Sequence, residues 1–233
     1  MKNIIDLFSS NNQRYEKKYV ISSLNENKFI FYLNKHPLFF KKIYEDRFIN
    51  NIYFDTSSMN CYWDNVIGLS KRMKVRIRWY GKTYGYIKNP VLEFKIRNNG
   101  LGEKISFKLN DINIDSEFTI DIIHKQFDQL NISYPVKKFL LSLRMTLMNG
   151  YSRQYYISNN DQYRLTYDTN LKFLIIHNFN NNFVNIIKPT NHRVMEVKYD
   201  EHLNDNASQI SNHFPFRITK SSKYVYGIDK LKL

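Results

Sequence analysis

The sequence predicts an α+β fold, in which a mostly antiparallel β-sheet closes on itself and carries helices on its outside. Apolar and polar residues alternate with the period of a strand over many short runs, which indicates sheet rather than helix. Short turns link most of these runs, and such turns are typical of antiparallel pairing. With 233 residues the chain is long enough for one sizeable core, so we expect a single domain over residues 1–233.

Nine runs show the alternation and are the predicted strands. They cover residues 15–21, 49–54, 71–80, 91–97, 104–109, 151–157, 163–168, 171–176 and 193–199. An asparagine-rich segment, 178–191, lies between two apolar runs and is predicted to be a polar hairpin connection.

Helical periodicity is clearest over residues 116–130, where an apolar stripe predicts an amphipathic helix. The stripe consists of Phe118, Ile122, Ile123, Phe127 and Leu130. Shorter helices are predicted after four polar residues whose side chains can accept a hydrogen bond from the first turn. These residues are Ser23, Ser57, Asn204 and Ser221.

The composition is strongly basic, with a formal net charge of +14. Such a charge attracts phosphate-rich partners, among them nucleic acid, anionic membranes and free polyphosphate. Cys61 is the only cysteine, which excludes an internal disulfide and a cysteine cluster for zinc. A single cysteine fits a reducing compartment, so we expect a cytoplasmic protein. No run approaches the ~18 apolar residues of a membrane span.

The positive charge is concentrated between Lys71 and Lys108, where eleven Lys and Arg residues face only Glu93 and Glu103. In a strand, alternate side chains share a face, so three consecutive strands each receive a cationic face. These faces hold Arg72, Lys74, Arg76 and Arg78, then Lys95 and Arg97, then Lys104 and Lys108. One alternative is a solvated outer face. However, like charges on adjacent strands destabilise a sheet by up to ~1 kcal/mol per pair, which a bound polyanion would offset.

The same alternation recurs more sparsely towards both ends of the chain. Glu16 and Lys18 lie on the first predicted strand, and Glu196 and Lys198 lie on the last. Later strands also carry Tyr151 with Arg153, and Arg164. A glutamate among phosphate-binding cations would repel the ligand unless it held a divalent metal that bridges phosphate oxygens. The alternative for each glutamate is a local ion pair.

Several familiar catalytic motifs are absent from the sequence. There is no Gly-rich phosphate loop, no serine or cysteine in a nucleophile elbow, and no close pair of histidines with metal-ligand spacing. Nucleic acid is disfavoured as a partner because no recognition helix or RNP-like aromatic pair is present. Any catalysis on phosphate should therefore work by positioning and electrostatics.

Taken in order, nine short pieces resemble the VTC domain, the polyphosphate polymerase branch of the triphosphate tunnel metalloenzymes. The pieces are residues 14–19, 52–56, 75–81, 92–95, 102–104, 151–153, 164–169, 194–198 and 221–224. The resemblance implies an antiparallel β-barrel around a basic tunnel. It also implies that ATP binds there with Mn²⁺ or Mg²⁺ and gives its terminal phosphate to a growing inorganic polyphosphate chain.

The resemblance also implies roles for individual residues. The expected phosphate-holding catalytic residues are Lys18, Arg76, Arg78, Lys95, Arg153, Arg164 and Lys223. Substrate binding is expected from Lys74, Lys104, Lys108, Tyr151, Lys198 and Ser222, where either Lys104 or Lys108 is the tunnel lysine. Glu196 and Glu16 are the expected metal ligands.

One departure from the superfamily pattern bears on the reaction. Hydrolytic and cyclase-type relatives open with Glu-x-Glu-x-Lys, whereas Arg14 stands here in place of the first glutamate. One carboxylate fewer weakens the case for a second metal that activates water, so phosphoryl transfer is favoured over hydrolysis. A tunnel triphosphatase and a non-catalytic binding module for polyphosphate or another anion remain the alternatives.

Overall fold

The computed structural model describes residues 2–8, 14–22, 26–205 and 207–233. Eleven strands lie within these ranges. They are β1 (Arg14–Ile21), β2 (Lys41–Asp55), β3 (Arg72–Tyr80), β4 (Gly85–Ile87), β5 (Val91–Asn98), β6 (Leu101–Lys108), β7 (Ile112–Ile114), β8 (Arg144–Ile157), β9 (Arg164–Leu174), β10 (Ile186–Ile187) and β11 (Arg193–Asp200).

Seven α-helices within the same ranges lie between or beyond the strands. They are α1 (Lys2–Ile5), α2 (Glu26–Lys35), α3 (Asn60–Ile67), α4 (Ile120–Asp128), α5 (Tyr134–Leu141), α6 (Ala207–Asn212) and α7 (Lys223–Leu231). No helix of the described ranges is both long and apolar enough to cross a membrane.

The main sheet has nine strands, and all its pairings are antiparallel. The strand order is β10-β9-β11-β1-β6-β5-β3-β2-β8, and β9 also pairs with β8. Eight strands therefore form a ring of pairings that returns to its start. β4 and β7 form a separate two-stranded sheet.

Among the described residues, the ring has the least backbone pairing between β1 and β6, which pair at one position, Arg14 opposite Gly102. The chain just before α7 covers more of this edge of β1. The Thr219 amide donates to the Lys18 carbonyl at 2.8 Å, and the Val20 amide donates to the Thr219 hydroxyl at 3.1 Å. This junction thus depends on a loop as well as on strand pairing.

The apolar side of the strands forms the core. Met73, Val75, Ile77 and Trp79 on β3 are all buried, and the cations between them are half-buried. The alternation predicted for residues 71–80 is therefore confirmed. The apolar residues of β3 and β5 pack against α4 and α5 in one cluster, which includes Phe94. The charged side of these strands faces away from this apolar cluster.

The elements differ from prediction mainly at their ends. The predicted strands 163–168 and 171–176 are one strand, β9, and the predicted helix 116–130 is shorter, because α4 begins only after Thr119. The polar segment 178–191 contains the two-residue strand β10, paired with β9. Helices follow Ser57, Asn204 and Ser221, but two caps differ from prediction, because α3 begins after Met59 without a side-chain cap and α7 is capped by Ser222. Ser23 lies outside the described residues. α1, α5 and the small sheet of β4 and β7 were not predicted.

Candidate functional site

The charged faces of the strands converge on a cavity of about 290 Å³. Its lining includes ten Lys and Arg residues and three glutamates. The cations are Arg14, Lys18, Lys74, Arg76, Arg78, Lys95, Lys104, Arg153, Lys198 and Lys223, and the glutamates are Glu16, Glu103 and Glu196. This excess of positive charge in a concave site is suited to a polyanion.

Glu93 organises one wall of the cavity. Its buried carboxylate accepts two hydrogen bonds from Arg76, at 2.6 and 2.8 Å, and one from Lys104 at 3.1 Å. Arg78 lies 3.6 Å from the same carboxylate. Although burial alone would raise the pKa of Glu93, the Arg76 and Arg78 charges hold it well below its usual range. The carboxylate thus stays ionised and orients three cations.

A network of two glutamates and two lysines spans β1 and β11. Lys18 lies directly opposite Glu196 in the sheet, and Glu16 lies opposite Lys198. Each lysine reaches both carboxylates. Lys18 Nζ is 3.8 Å from Glu16 Oε2 and from Glu196 Oε2, and Lys198 Nζ is 3.6 and 3.1 Å from their Oε1 atoms. The two carboxylates therefore face the same space.

Lys95 links this network to β5, because its ammonium donates to both oxygens of Glu16, at 2.9 and 2.8 Å. Burial lowers the pKa of Lys95 from 10.5 to about 8, despite the opposing attraction of Glu16. Burial and the Glu196 charge would raise the pKa of Glu16, but Lys95, Lys198 and Lys18 lower it to about 2. Glu16 is thus ionised at neutral pH. Lys95 begins to lose its proton, and with it its positive charge, just above neutral pH.

On the opposite wall, a buried aspartate holds two cations. Asp168 accepts two hydrogen bonds from Arg153, at 2.6 and 2.7 Å, and one from Lys223 at 2.5 Å. The Tyr151 ring lies beside both, 5.3 Å from the Arg153 guanidinium and 4.7 Å from the Lys223 ammonium. Burial would raise the pKa of Tyr151, but the charges of Arg153 and Arg78 lower it to about 8. A phenol of this kind is a strong hydrogen-bond donor to phosphate.

The start of α7 delivers Lys223 and Ser222 to the cavity. The Ser222 side chain caps the helix by accepting from the Val225 amide at 3.4 Å. Farther along, the Tyr224 hydroxyl donates to buried Asp55 at 2.7 Å. Asp55 also accepts from the amides of Cys61 and Tyr62 in the first turn of α3. Asp55 therefore ties both helices to β2 and fixes the position of α7.

The donor set fits a divalent cation of the magnesium type. Glu16 and Glu196 are ionised and turned to one space, with Glu196 buried and Glu16 partly buried. Among the described residues, no group of three His, Cys, Asp or Glu side chains could hold a metal. Mg²⁺ is often bound by one or two carboxylates and completes its shell with water and substrate phosphates. The two glutamates therefore suit a metal that enters together with phosphate.

A second cavity, of about 860 Å³, adjoins the first. The two share seven lining residues, which are Glu16, Lys18, Lys74, Lys95, Gly102, Ser221 and Ser222. Additional cations line the second cavity, namely Arg72, Arg97 and Lys220. The positively charged surface therefore continues beyond the first cavity, past the start of β3.

Most of the residues predicted for the site lie together at the first cavity, but two do not. Arg164 lies on the charged face opposite Lys198, at the exposed first position of β9, and is not part of the lining. Lys108 is exposed at the last position of β6, while Lys104 lines the cavity and is bonded to Glu93. Of the two lysines left open, the geometry favours Lys104.

Sequence reasoning missed the residues that hold the cations in place. Glu93, Asp168 and Asp55 are buried carboxylates at the centre of hydrogen-bond networks. The sequence holds a signal for two of them, since Glu93 and Asp168 fall at the alternating positions of their strands that also carry the cations. Asp55 follows a run of apolar residues at the end of β2 and offers no comparable pattern.

Comparisons with known proteins agree with this geometry. A family model for the VTC domain matches residues 13–232, and no curated protein is similar enough in sequence to count as a relative. Among solved structures, the PH1819 protein from Pyrococcus horikoshii OT3 is similar with a TM-score of 0.52 and 11% identity, over 93% of this chain and 99% of that one.

Two other solved structures have the same degree of likeness. HpAC1 from Hippeastrum, described as a putative adenylyl cyclase with a dominant triphosphatase activity, matches with a TM-score of 0.53 and 12% identity, over 94% of this chain and 96% of that one. A putative adenylate cyclase from Bacillus halodurans matches with a TM-score of 0.52 and 14% identity, over 91% of this chain and 97% of that one. At these identities the likeness shows a shared α+β fold. The family model covers nearly the whole sequence, and the chain therefore belongs to the VTC domain family.

Proposed function

We propose that this chain is a metal-dependent polyphosphate polymerase. It would transfer the terminal phosphate of ATP to a growing inorganic polyphosphate chain, within one tunnel domain over residues 1–233. The ring of strand pairings would then form the wall of a barrel, with the cavity as its interior. The cytoplasm is the location we propose, because a single buried cysteine suits a reducing compartment.

One observation carries the proposal. Ten cations and the pair Glu16 and Glu196 line a single cavity, and that cavity continues into a second basic one. A small phosphate would need only a few of these charges, whereas a long polyanion can use all of them. The two glutamates would weaken binding of a bare phosphate, but they suit a phosphate that arrives with a divalent cation.

The proposed step balances without a protein nucleophile. A terminal oxygen of the acceptor chain attacks the γ-phosphorus of ATP, the bond from that phosphorus to the β–γ bridging oxygen breaks, and ADP leaves. Arg76 and Arg78, oriented by Glu93, would hold one set of phosphate oxygens. Arg153 and Lys223, oriented by Asp168, would hold another from the opposite wall. Arg164 and Lys108, outside the cavity, would meet phosphate only at its margin.

Bound Mn²⁺ or Mg²⁺ would supply positive charge that neutralises part of the negative charge developing during transfer. Glu16 and Glu196 are the residues proposed to hold it. Lys18 and Lys198, which now neutralise both carboxylates, would then be free to turn to the phosphates.

The test is product analysis. Purified protein given ATP with Mn²⁺ or Mg²⁺ should release ADP and accumulate polyphosphate, resolved by length on a gel. Glu196→Gln should abolish the polymer, whereas Asp111→Asn, at an exposed acidic residue outside the cavity lining, should not. If no polymer forms with either metal, the polymerase proposal is wrong.

A tunnel triphosphatase is the second candidate, favoured by the shared fold with the Hippeastrum protein described as having triphosphatase activity. It would release orthophosphate from tripolyphosphate or ATP without making polymer. Arg14 weighs against it, because this residue pairs with Asp200 at 3.2 Å and brings a positive charge where a further carboxylate would serve a second metal. Binding of tripolyphosphate without any turnover would instead indicate an anion-binding module.

A further inference from the structure

An exposed cluster of aromatic rings and one arginine, Tyr44, Arg47, Tyr80 and Tyr155, lies at one end of the cavity. The Arg47 guanidinium is 4.8 Å from the ring centre of Tyr44, 5.5 Å from that of Tyr155 and 5.7 Å from that of Tyr80. The rings of Tyr44 and Tyr155 meet edge to face at 5.6 Å. Tyr44 and Tyr80 are each more than half exposed, at 51% and 53%.

This aromatic cluster adjoins the phosphate-binding residues directly. Tyr80 is the next residue after Arg78 on the charged face of β3, about 7 Å along the strand. Arg47 lies opposite Arg153 where β2 pairs with β8. The Arg153 guanidinium is 6.0 Å from the Tyr155 ring, so Arg153 belongs both to the cavity wall and to the edge of the cluster.

The cluster and the second cavity lie at opposite ends of the site. β3 begins at Arg72, which lines the second cavity, and ends at Tyr80, in the cluster. A triphosphate held between them by Arg76 and Arg78 therefore has an extended basic cavity towards one end and exposed aromatic faces towards the other. The half-exposed rings of Tyr44 and Tyr80 offer a surface for a flat, uncharged group beside the phosphate-binding residues.

Resting on the proposed function, we propose that Tyr44, Arg47, Tyr80 and Tyr155 form a stacking site for the base of a nucleoside triphosphate whose phosphates lie in the cavity. Aromatic rings and guanidinium planes stack on nucleobases with little preference for sequence. The exposed positions of Tyr44 and Tyr80 leave ring surface available to a ligand. Inorganic tripolyphosphate has no base and makes no use of this cluster.

Metal-free calorimetric titrations of the full chain with ATP and with tripolyphosphate test the inference. Tyr80→Ala should weaken ATP binding about fivefold, the low end of one base–ring stack, and leave tripolyphosphate binding unchanged. Tyr44→Ala should act in the same direction. Tyr80→Phe keeps the ring and should bind both ligands like the parent, as should Tyr134→Ala, a 76% exposed tyrosine on α5.

Comparing ATP with tripolyphosphate distinguishes failure of the stacking site from failure of the proposed function. Equal losses for ATP and tripolyphosphate in Tyr80→Ala, or no loss for ATP, would overturn the stacking site. A parent protein that binds tripolyphosphate but not ATP would overturn the stacking site and leave the phosphate cavity standing. A parent protein that binds neither ligand, with or without Mn²⁺ or Mg²⁺, would overturn the proposed function and this inference together.

Discussion

Asp168 and Arg153 form a paired contact across β8 and β9, with Nε to Oδ1 at 2.6 Å and Nη2 to Oδ2 at 2.7 Å. The two residues are also direct partners in the sheet, in the pairing that returns the ring of strands to its start. A guanidinium held by both oxygens of a carboxylate has a fixed orientation. The same contact therefore supports the fold and aims Arg153 at the cavity.

Replacing Asp168 with asparagine should destabilise the protein markedly. The carboxylate is fully buried, and its loss leaves Arg153 and Lys223 without their counter-charge in a mostly buried place. Breaking such a pair typically costs about 3 kcal/mol in the free energy of unfolding, which urea denaturation measures. Asp46→Asn is the control, because its pair with Lys42 is on the surface. A similar loss in both variants would contradict the role given to Asp168.

Replacing Glu196 with glutamine should separate metal use from anion binding. The substitution removes one metal ligand and one negative charge from a basic cavity, so turnover with Mn²⁺ should be lost. Metal-free tripolyphosphate should bind at least as tightly as to the parent, because its repulsion by Glu196 is gone. Calorimetry and product analysis on the same preparation measure both effects. Weaker metal-free binding would indicate that Glu196 serves mainly to hold Lys18 and Lys198 in place.

Metal-free binding of triphosphate should weaken as pH rises from about 7 to about 9, because Lys95 loses its proton over this range. Its pKa in the free protein is about 8. A bound polyanion favours the charged ammonium and raises this pKa, so binding near pH 8 should take up protons. Calorimetry in buffers of different ionisation enthalpy measures the uptake.

Lys95→Arg is the matched variant for this pH effect, because an arginine keeps its charge over the whole range. Its binding of triphosphate should take up fewer protons and depend less on pH. An unchanged proton uptake in Lys95→Arg would assign the titration to another group, of which Tyr151, with a pKa of about 8, is the next to test.

Replacing Gly227 with alanine should displace α7. The added methyl carbon would lie 2.5 Å from Cδ2 of Leu147 and 2.6 Å from Cδ1 of Phe173, in a packed core. Overpacking of this kind costs about 1–3 kcal/mol, measurable by urea denaturation. Triphosphate affinity should fall too, because Lys223 lies one turn before Gly227 on the same helix. Lys230→Ala, on the exposed side of α7, should change neither property.

The sequence predicted the charged faces well because strand alternation is a local property. Once 71–80 is extended, Arg76 and Arg78 must share a side, whatever the rest of the chain does. Alternation does not predict how far along a strand the cavity extends. Arg164 and Lys108 have the right parity but sit at strand ends, where the side chain meets solvent instead of the cavity.

The supporting contacts could not be predicted because they join residues far apart in the chain. Asp55 and Tyr224 are 169 residues apart, and nothing near either residue indicates the other. α5 was not predicted, although Pro135 is a local signal for its start. It occupies the first turn of the helix, where a missing amide hydrogen has no consequence.

Within the described part of the chain, the junction between β1 and β6 has the least backbone pairing of the ring, so the ring can loosen there most easily. The described backbone pairing there is Arg14 with Gly102, and the bond from Lys95, on the neighbouring strand β5, to Glu16 of β1 also crosses it. A metal or phosphate that engages either side chain competes with that bond. Amide hydrogen exchange along β1 and β6 should therefore respond to ligand more than exchange in β2 and β8, and local breathing at this junction would be tied to occupancy of the cavity.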